Sequence, residues 1–130
     1  MNKRKGYRGY IGSRPYRGDR TPQHVQNLVV RDYCQRNSFN YLLSATEYAM
    51  SGSYIMLSET LHEAPTINGV VLYSIFMLPK RQKRRLDICR QFLKQGASLH
   101  GALENVAITN EYDLKKIDEM LMLNEVVIHS

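Results

Sequence analysis

The sequence predicts an α/β fold, a small three-layer structure in which a parallel sheet carries helices on both faces. Strand-like segments alternate along the chain with segments whose apolar residues repeat every three or four positions. In addition, residues 67–77 form an almost continuous apolar run. Such a run is typical of a strand that is buried on both faces, as in a parallel sheet.

The strands follow from local composition. The first ends at Ser13, the second is rich in aromatic and aliphatic residues, and the third is the apolar run itself. A fourth follows Gly96, and a short further strand is expected at the C-terminus. The predicted strands cover residues 7–13, 39–46, 67–77, 97–103 and 125–129.

The helices between these strands are predicted from amphipathic spacing, over residues 22–37, 50–63, 80–95 and 113–123. Thr21 suits the N-cap of the first helix, and Pro22 suits its first position, where a missing N–H costs nothing. Pro65 ends the second helix, and Gly96 suits the end of the third. The inner faces consist of Val25, Leu28, Val29 and Tyr33; Met50, Tyr54, Leu57 and Leu61; Leu86, Cys89, Phe92 and Leu93; and Leu114, Ile117 and Leu121. With right-handed crossovers, this order gives a Rossmann- or flavodoxin-like layer fold.

The composition is that of one globular domain. The chain has 130 residues, 43% of them hydrophobic and 23% charged. Residues 1–6 are expected to form a disordered basic tail, and residues 7–130 a single domain. No apolar run reaches the roughly 20 residues that span a bilayer, and no apolar segment follows the basic N-terminus, so a cytoplasmic protein is expected. Cys34 and Cys89 lie on apolar helix faces and are expected to be buried free thiols.

The net charge of +6 is concentrated in two segments. Residues 1–20 contain seven Lys and Arg residues against the single acid Asp19, and residues 80–85 contain five against none. Nucleic acid and phosphorylated small molecules would both be attracted to such segments. A solvated basic surface is the ordinary alternative.

The turn after the first strand is the best candidate for a binding site. Ser13, Arg14 and Arg20 would bring a hydroxyl, guanidiniums and free backbone N–H groups to one corner, which suits an anion. Phosphate, carboxylate and nucleotide all fit, and a merely polar turn is the alternative. In open α/β sheets, ligands bind beyond the carboxyl ends of the strands. The residues expected there are Ser13 and Arg14, Thr46 to Tyr48, Leu78 to Lys80, and Glu104 with Asn105.

Two side chains are candidates for catalysis. Glu47 would serve as a general acid or base or bind a sugar hydroxyl, although stabilising a helix N-terminus is an equal alternative. Ser13 is expected mainly as a ligand-binding hydroxyl, because a nucleophile needs a base or a cationic pocket. The further candidate ligand-binding residues are Gln23, Gln26, Asn27, Arg31, Tyr48 and Glu104.

No metal or cofactor is predicted. The four histidines are scattered, and no Cys/His pair has the spacing of metal ligands. Gly6, Gly9 and Gly12 do not form a dinucleotide fingerprint, and the sequence contains no Walker loop.

The order of these motifs resembles the catalytic domain of serine recombinases, the resolvases and invertases. The matching segments are YIGS at 10–13, Gln23, VVLYSIFMLPKR at 70–81, Gly96 and Glu104. The resemblance implies a resolvase-like fold. It does not imply recombination, because the Arg that precedes the nucleophile in that family corresponds to Gly12 and the serine is displaced by one place. The family's Asp-Arg after the third strand corresponds to Phe76 and Met77, and its long dimer helix and helix-turn-helix have no counterpart.

Longer strings are similar to the "sporadic carbohydrate cluster" family, which is found beside genes for bacterial surface-sugar synthesis. They are RGYIGSR at 8–14, PQxVQNLVVRDYC at 22–34, LSATEYAM at 43–50, LYSIFMLP at 72–79 and LHGALE at 99–104. This resemblance implies a role in capsule or lipopolysaccharide biosynthesis without naming a reaction. The leading hypothesis is binding of an anionic sugar, a sugar phosphate or a nucleotide-sugar. The alternative, less favoured by the sequence, is a nucleic-acid-binding or regulatory remnant of a recombinase without cleavage activity. A homodimer through the helix at 113–123 is expected, and the alternative is that the terminal strand folds back and covers this apolar face within one chain.

Overall fold

The computed structural model describes residues 3–13, 20–48 and 54–129, the last five of them as helix backbone. The strands of this part are β1 (Tyr7–Gly12), β2 (Tyr41–Glu47), β3 (Gly69–Leu72), β4 (Ser98–Gly101) and β5 (Val106–Ile108). The helices are α1 (Gln23–Arg36), α2 (Ile55–His62), α3 (Gln82–Lys94) and α4 (Glu111–His129). The predicted α/β fold is therefore confirmed.

The five strands form one sheet in the order β2-β1-β3-β4-β5. The four strands from β2 to β4 are parallel, whereas β5 pairs antiparallel with β4. The sheet is thus mixed and not wholly parallel as expected. The reason is the four-residue connection between β4 and β5, which is long enough for a hairpin but far too short for a parallel crossover.

The third strand is shorter than the apolar run that predicted it. After β3 the chain turns at Ser74 and forms a short 3-10 helix, Ile75–Met77. The Ser74 hydroxyl accepts the Phe76 N–H at 3.2 Å, which stabilises this turn. The run is nevertheless buried apart from the half-buried Asn68 and Phe76, so its apolar character reflects burial and not strand length.

The predicted terminal strand at 125–129 is wrong, because α4 continues without a break to His129. The apolar residues that precede it keep the helical spacing, with Leu114 and Leu121 buried and Ile117 and Met120 partly buried against the core. No Pro or Gly interrupts residues 111–129. The helix therefore has no local reason to stop at residue 123.

The helices cover both faces of the sheet. On one face, the α1 residue Tyr33 shares a hydrogen bond of 2.9 Å with His100 of β4. On the other, Arg8 of β1 binds Glu63, at the end of α2, with Nε–Oε1 at 2.6 Å. Right-handed crossovers place α3 on the same face as α2, and α4 packs against α3 and β5.

The centre of the fold is dry and apolar. Val70, Val71 and Leu72 of β3 are fully buried. Cys34 and Cys89 are free and buried, as predicted. Burial raises the pKa of the Cys34 thiol to about 11 and that of Cys89 to about 12, so both thiols are unreactive at neutral pH.

Arg4 connects the N-terminal segment to the rest of the domain. The Arg4 guanidinium donates to the carbonyls of Ala64, Ile67 and Gln95 at 2.7–2.8 Å. These carbonyls lie at turns after α2 and α3, where helix ends leave acceptors without intrahelical partners. Arg4 therefore joins the two turns.

The described helices include none with both the length and the apolar character needed to cross a membrane.

Candidate anion-binding edge

Four strand ends lie on one side of the sheet, because β1, β2, β3 and β4 are parallel. We call this side, together with the starts of α1 and α3, the carboxyl edge. The Tyr73 N–H, just after β3, donates to the Tyr10 carbonyl at 3.0 Å, and the Tyr73 hydroxyl donates to Thr21 at 3.3 Å. The segment after β3 therefore contacts the segment that begins α1.

Ser13 is exposed at the end of β1. Its N–H and its hydroxyl both donate to the Glu47 carbonyl, at 2.9 and 3.3 Å. The ends of β1 and β2 are thereby joined, and the next residue, Tyr48, is 68% exposed. Ser13 and Tyr48 are thus neighbours at the surface, whereas Arg14 lies outside the described residues.

Gln26 is buried at 4% exposure and fixes the turn from within. Its Oε1 accepts the Gly12 N–H at 3.0 Å, and its Nε2 donates to the Gly12 and Thr21 carbonyls at 2.8 Å each. The amide is engaged by backbone on both sides. The Gln26 amide therefore connects the end of β1 to the residue before α1, and its predicted role in ligand binding stays a prediction.

Glu47 lies at the end of β2 with 2% exposure. It accepts the Tyr10 hydroxyl at 2.9 Å and the Met56 and Leu57 N–H groups at 3.2–3.3 Å. The carboxylate thus satisfies the first amides of α2, which is the structural alternative considered for it. This geometry gives no support to a role in acid–base catalysis.

Three other predicted residues make contacts within the protein. Glu104 accepts the Ser74 hydroxyl at 2.6 Å and the Ile75 N–H at 2.7 Å, which ties the segment after β4 to the turn after β3. Asn27 accepts the Ser44 hydroxyl at 2.6 Å, and Arg31 lies 5.6 Å above the Tyr41 ring. Asn27 and Arg31 share a contact with Tyr41, whereas Glu104 lies in a different cluster, and neither cluster includes Ser13.

Two further predicted residues, Arg20 and Gln23, are exposed at the start of α1. Within the described residues, the solvent-facing members of the predicted site at this edge are therefore Ser13, Arg20, Gln23 and Tyr48. They offer a hydroxyl, a guanidinium, an amide and an aromatic ring.

The start of α3 extends the same edge and was not included among the predicted site residues. It follows β3, the strand beside β1, and carries the exposed cations Lys80, Arg81, Lys83 and Arg84. Arg84 also stacks 4.7 Å above the Tyr54 ring, just before α2. The placement of Lys80 at a strand end was the signal that could have added this cluster to the site.

The cations of this edge lie at the positive ends of the helix dipoles of α1 and α3. Neither α1 nor α3 has an acidic residue in its first turn. Cations near a helix N-terminus add to the partial positive charge of the unpaired N–H groups, and each costs stability at low salt. The carboxyl edge therefore has a positive potential that an anion would relieve.

Arg85 differs from the other cations of this cluster, because it is buried. Its guanidinium binds Asp118 of α4, with Nη2–Oδ1 at 2.6 Å, and donates to the Pro79 and Lys80 carbonyls. Gln82 donates to the other Asp118 oxygen at 2.8 Å. Arg85 thus holds the start of α3 against α4 and is not available to a ligand.

No metal centre accompanies this edge. Over residues 3–13, 20–48 and 54–129, no group of three or more His, Cys, Asp and Glu side chains is placed to hold a metal ion.

Comparison with solved structures identifies the fold. The N-terminal catalytic domain of TP901-1 integrase matches with a TM-score of 0.66 and 14% identity over 94% of this chain and 97% of that one. A resolvase family site-specific recombinase from Streptococcus pneumoniae matches with a TM-score of 0.62 and 10% identity over 95% and 88%. The fold is resolvase-like. No family model and no curated protein matches the sequence, so the carbohydrate-cluster resemblance is not confirmed.

The resolvase-like fold explains why Ser13 and the start of α3 share an edge. Ser13 follows the first strand, and the nucleophile of the serine recombinases, which this sequence resembles, also follows the first strand of that family's domain. The position before it is Gly12, which provides no guanidinium and whose peptide is held by Gln26. The fold thus places a serine at the end of the first strand, with a glycine and not an arginine at the position before it.

Proposed function

We propose that this resolvase-like domain binds nucleic acid through its carboxyl edge and does not cleave it. One observation carries the proposal: Arg20, just before α1, and the basic segment at the start of α3 are far apart in sequence but lie at the same edge of the sheet. Arg20 precedes α1, and Lys80, Arg81 and Lys83 begin α3. A ligand with several phosphates matches a positive surface of this extent better than a ligand with one.

The likeness to recombinases supports this alternative over the sugar hypothesis that the sequence favoured. The matching structures are those of an integrase catalytic domain and of a site-specific recombinase. This chain shares the fold of both proteins. The proposal places the protein in the cytoplasm, where nucleic acid is available to it.

Fluorescence anisotropy with a labelled 20-base-pair DNA tests the proposal. Binding should weaken as the salt concentration rises. In a plot of the logarithm of the association constant against that of the salt concentration, the negative slope should become shallower by about 0.9 for each phosphate contact that is removed. The double variant Lys80→Ala/Lys83→Ala should lower affinity and flatten this slope. Lys115→Ala/Lys116→Ala removes the same charge from exposed positions of α4 and should leave both unchanged. Equal effects of the two double variants would show that binding depends on net charge alone and not on the carboxyl edge, which would contradict the proposal.

A second candidate is an anionic sugar, bound in the turn between β1 and α1 in a pathway of surface-polysaccharide synthesis. The favouring observation is that Ser13, Arg20 and Gln23 expose a hydroxyl, a guanidinium and an amide around one turn. Sugar phosphates, nucleotide-sugars and keto-sugar acids would each find suitable partners there. Thermal shift against these compounds separates the candidates, since a sugar ligand should stabilise the parent and not Arg20→Ala, and should do so without DNA.

A further inference from the structure

We infer that the carboxyl edge takes single-stranded nucleic acid, with an unpaired base stacked on Tyr48. The inference rests on the proposed nucleic-acid function and names its substrate class. It depends on where the exposed tyrosines lie and on what surrounds the first of them.

The tyrosines divide sharply by exposure. Eight of the nine lie in the described part of the chain, and two of these are exposed, Tyr48 at 68% and Tyr112 at 70%. The remaining six are buried or half-buried; Tyr7, for example, stacks on Phe39 with ring centroids 3.7 Å apart. Burial in the core therefore explains most of the tyrosines but not Tyr48.

Tyr48 lies at the same edge of the sheet as the exposed polar side chains of Ser13, Arg20 and Gln23. It follows Glu47, whose backbone carbonyl accepts both the N–H and the hydroxyl of Ser13. Arg20 and Gln23 are exposed at the neighbouring start of α1. An aromatic face and hydrogen-bond donors for a sugar–phosphate backbone are thus placed on one edge.

The preference for a single strand follows from the accessibility of the base faces on which a tyrosine can stack. Inside a duplex, each base is covered above and below by its neighbours, so a tyrosine ring cannot stack on it without disrupting the helix. An unpaired base exposes both faces. Basic grooves with protruding aromatic rings are the usual platform for single strands, and stacking of one base is worth roughly 5- to 150-fold in affinity by alanine substitution.

Tyr112 provides a matched control. It is as exposed as Tyr48, but it lies at the start of α4, just after β5. Because β5 runs antiparallel to β4, its C-terminal end pairs near the beginning of β4. Tyr112 therefore lies at the opposite edge of the sheet from Tyr48.

The experiment compares three labelled ligands by anisotropy: a 12-nucleotide single strand, the duplex of the same sequence, and a 12-unit abasic strand. The single strand should bind more tightly than the duplex. Tyr48→Ala should weaken single-strand binding by roughly 5- to 150-fold and leave abasic binding unchanged. Tyr48→Phe and Tyr112→Ala should bind like the parent. The thermal melt of each variant, expected to match the parent because both tyrosines are exposed, shows that the fold is intact.

Three outcomes would overturn the inference, and they separate it from the proposed function. Tight duplex binding that Tyr48→Ala does not affect would remove the stacking site but leave the nucleic-acid function. An equal loss for abasic and normal strands would mean that Tyr48 acts on the protein and not on a base. Absence of binding to all three ligands would end both proposals.

Photocrosslinking gives an independent readout. A single strand containing 5-iodouracil should crosslink to the peptide that carries Tyr48, as identified by mass spectrometry. Crosslinks confined to the peptide of Tyr112, or to α4 as a whole, would place the bases elsewhere and overturn the inference.

Discussion

Gln26 occupies both hydrogen-bonding groups of Gly12 with the two ends of one side-chain amide, at 3.0 and 2.8 Å. The last peptide of β1 is thereby attached to α1. A third bond, to the Thr21 carbonyl, attaches the residue that precedes the helix. The end of β1 is therefore held from inside, whereas Ser13, the residue that follows it, is exposed to solvent.

Replacing Gln26 should destabilise the protein. Gln26→Leu leaves buried backbone groups of Gly12 without partners, and each unsatisfied group costs about 1–3 kcal/mol. The free energy of unfolding from urea titration should fall by this order. Gln23→Leu, at an exposed position of the same helix, is the control and should change it by about 0.5 kcal/mol or less. Equal losses in the two variants would show that the hydrogen bonds of Gln26 do not contribute to the free energy of unfolding.

Ser13 should not form a covalent adduct with DNA. The preceding residue is Gly12, and the Ser13 hydroxyl donates to the Glu47 carbonyl, so the described surroundings provide neither a guanidinium before the serine nor a base on its oxygen. A suicide DNA substrate incubated with the parent and with Ser13→Ala should give identical gels without a protein–DNA product. A phosphoseryl product present only in the parent would contradict this prediction.

The buried pair Arg85–Asp118 should matter more than its surface counterpart. Both side chains are less than a tenth exposed, at 3% and 8%. Removing one partner of a buried pair leaves the other charge buried without a partner, which lowers the free energy of unfolding by about 3–5 kcal/mol. Urea titration of Arg85→Ala and Asp118→Ala should show losses of this size, and the double variant should lose less than their sum. Arg90→Ala breaks the exposed pair with Glu111 and should have a much smaller effect.

The sequence predicted the order of helices and strands well, because apolar spacing records burial directly. It overestimated β3, since Ser74, Ile75 and Met77 are buried in a turn and not in a strand. It missed β5, because three residues after a tight turn carry too little pattern. It also missed the end of the last helix, where β-branched residues 126–128 resemble a strand locally.

The candidate site was predicted in position more than in detail. Parallel strands bring their carboxyl ends together, so Ser13, Tyr48 and Lys80 could be placed at one edge without a structure. Which polar side chains face inward could not be read from spacing. Gln26 and Glu47 bind backbone groups of segments that approach only in the folded chain.

His100 should make the stability depend on pH. Burial lowers the pKa of its imidazole from 6.5 to about 4, and its two ring nitrogens contact the hydroxyls of Tyr33 and Ser98 at 2.9 and 2.7 Å. Between pH 6.5 and 4 the unfolded chain binds a proton that the folded chain does not, so the stabilisation is complete above pH 6.5 and is lost as the pH falls towards 4. The loss is about 3 kcal/mol.

Urea titrations at pH 7.5, 6 and 4.5 measure this slope. His100→Gln carries no titrating ring and should flatten this slope, whereas His62→Gln, at the exposed last position of α2, is the control and should leave it unchanged. If His100→Gln retains the parental slope, the dependence belongs to other groups.

The last helix should mediate a homodimer. Beyond the buried Leu114 and Leu121, α4 exposes Met122 at 39% and Leu123 at 67%. Burying each such side chain contributes roughly 1.5–3 kcal/mol, and a two-fold axis would count every contact twice. Light scattering at micromolar concentration should give about twice the chain mass of 15.1 kDa.

Met122→Asp/Leu123→Asp should return the monomer, because both side chains are exposed in the single chain and their loss does not open the core. Leu28→Asp places a charge at a similarly exposed position of α1, 61% accessible, and should stay dimeric. A parent of 15 kDa would contradict the dimer, and a dimer that survives the double substitution would place the contact on another surface.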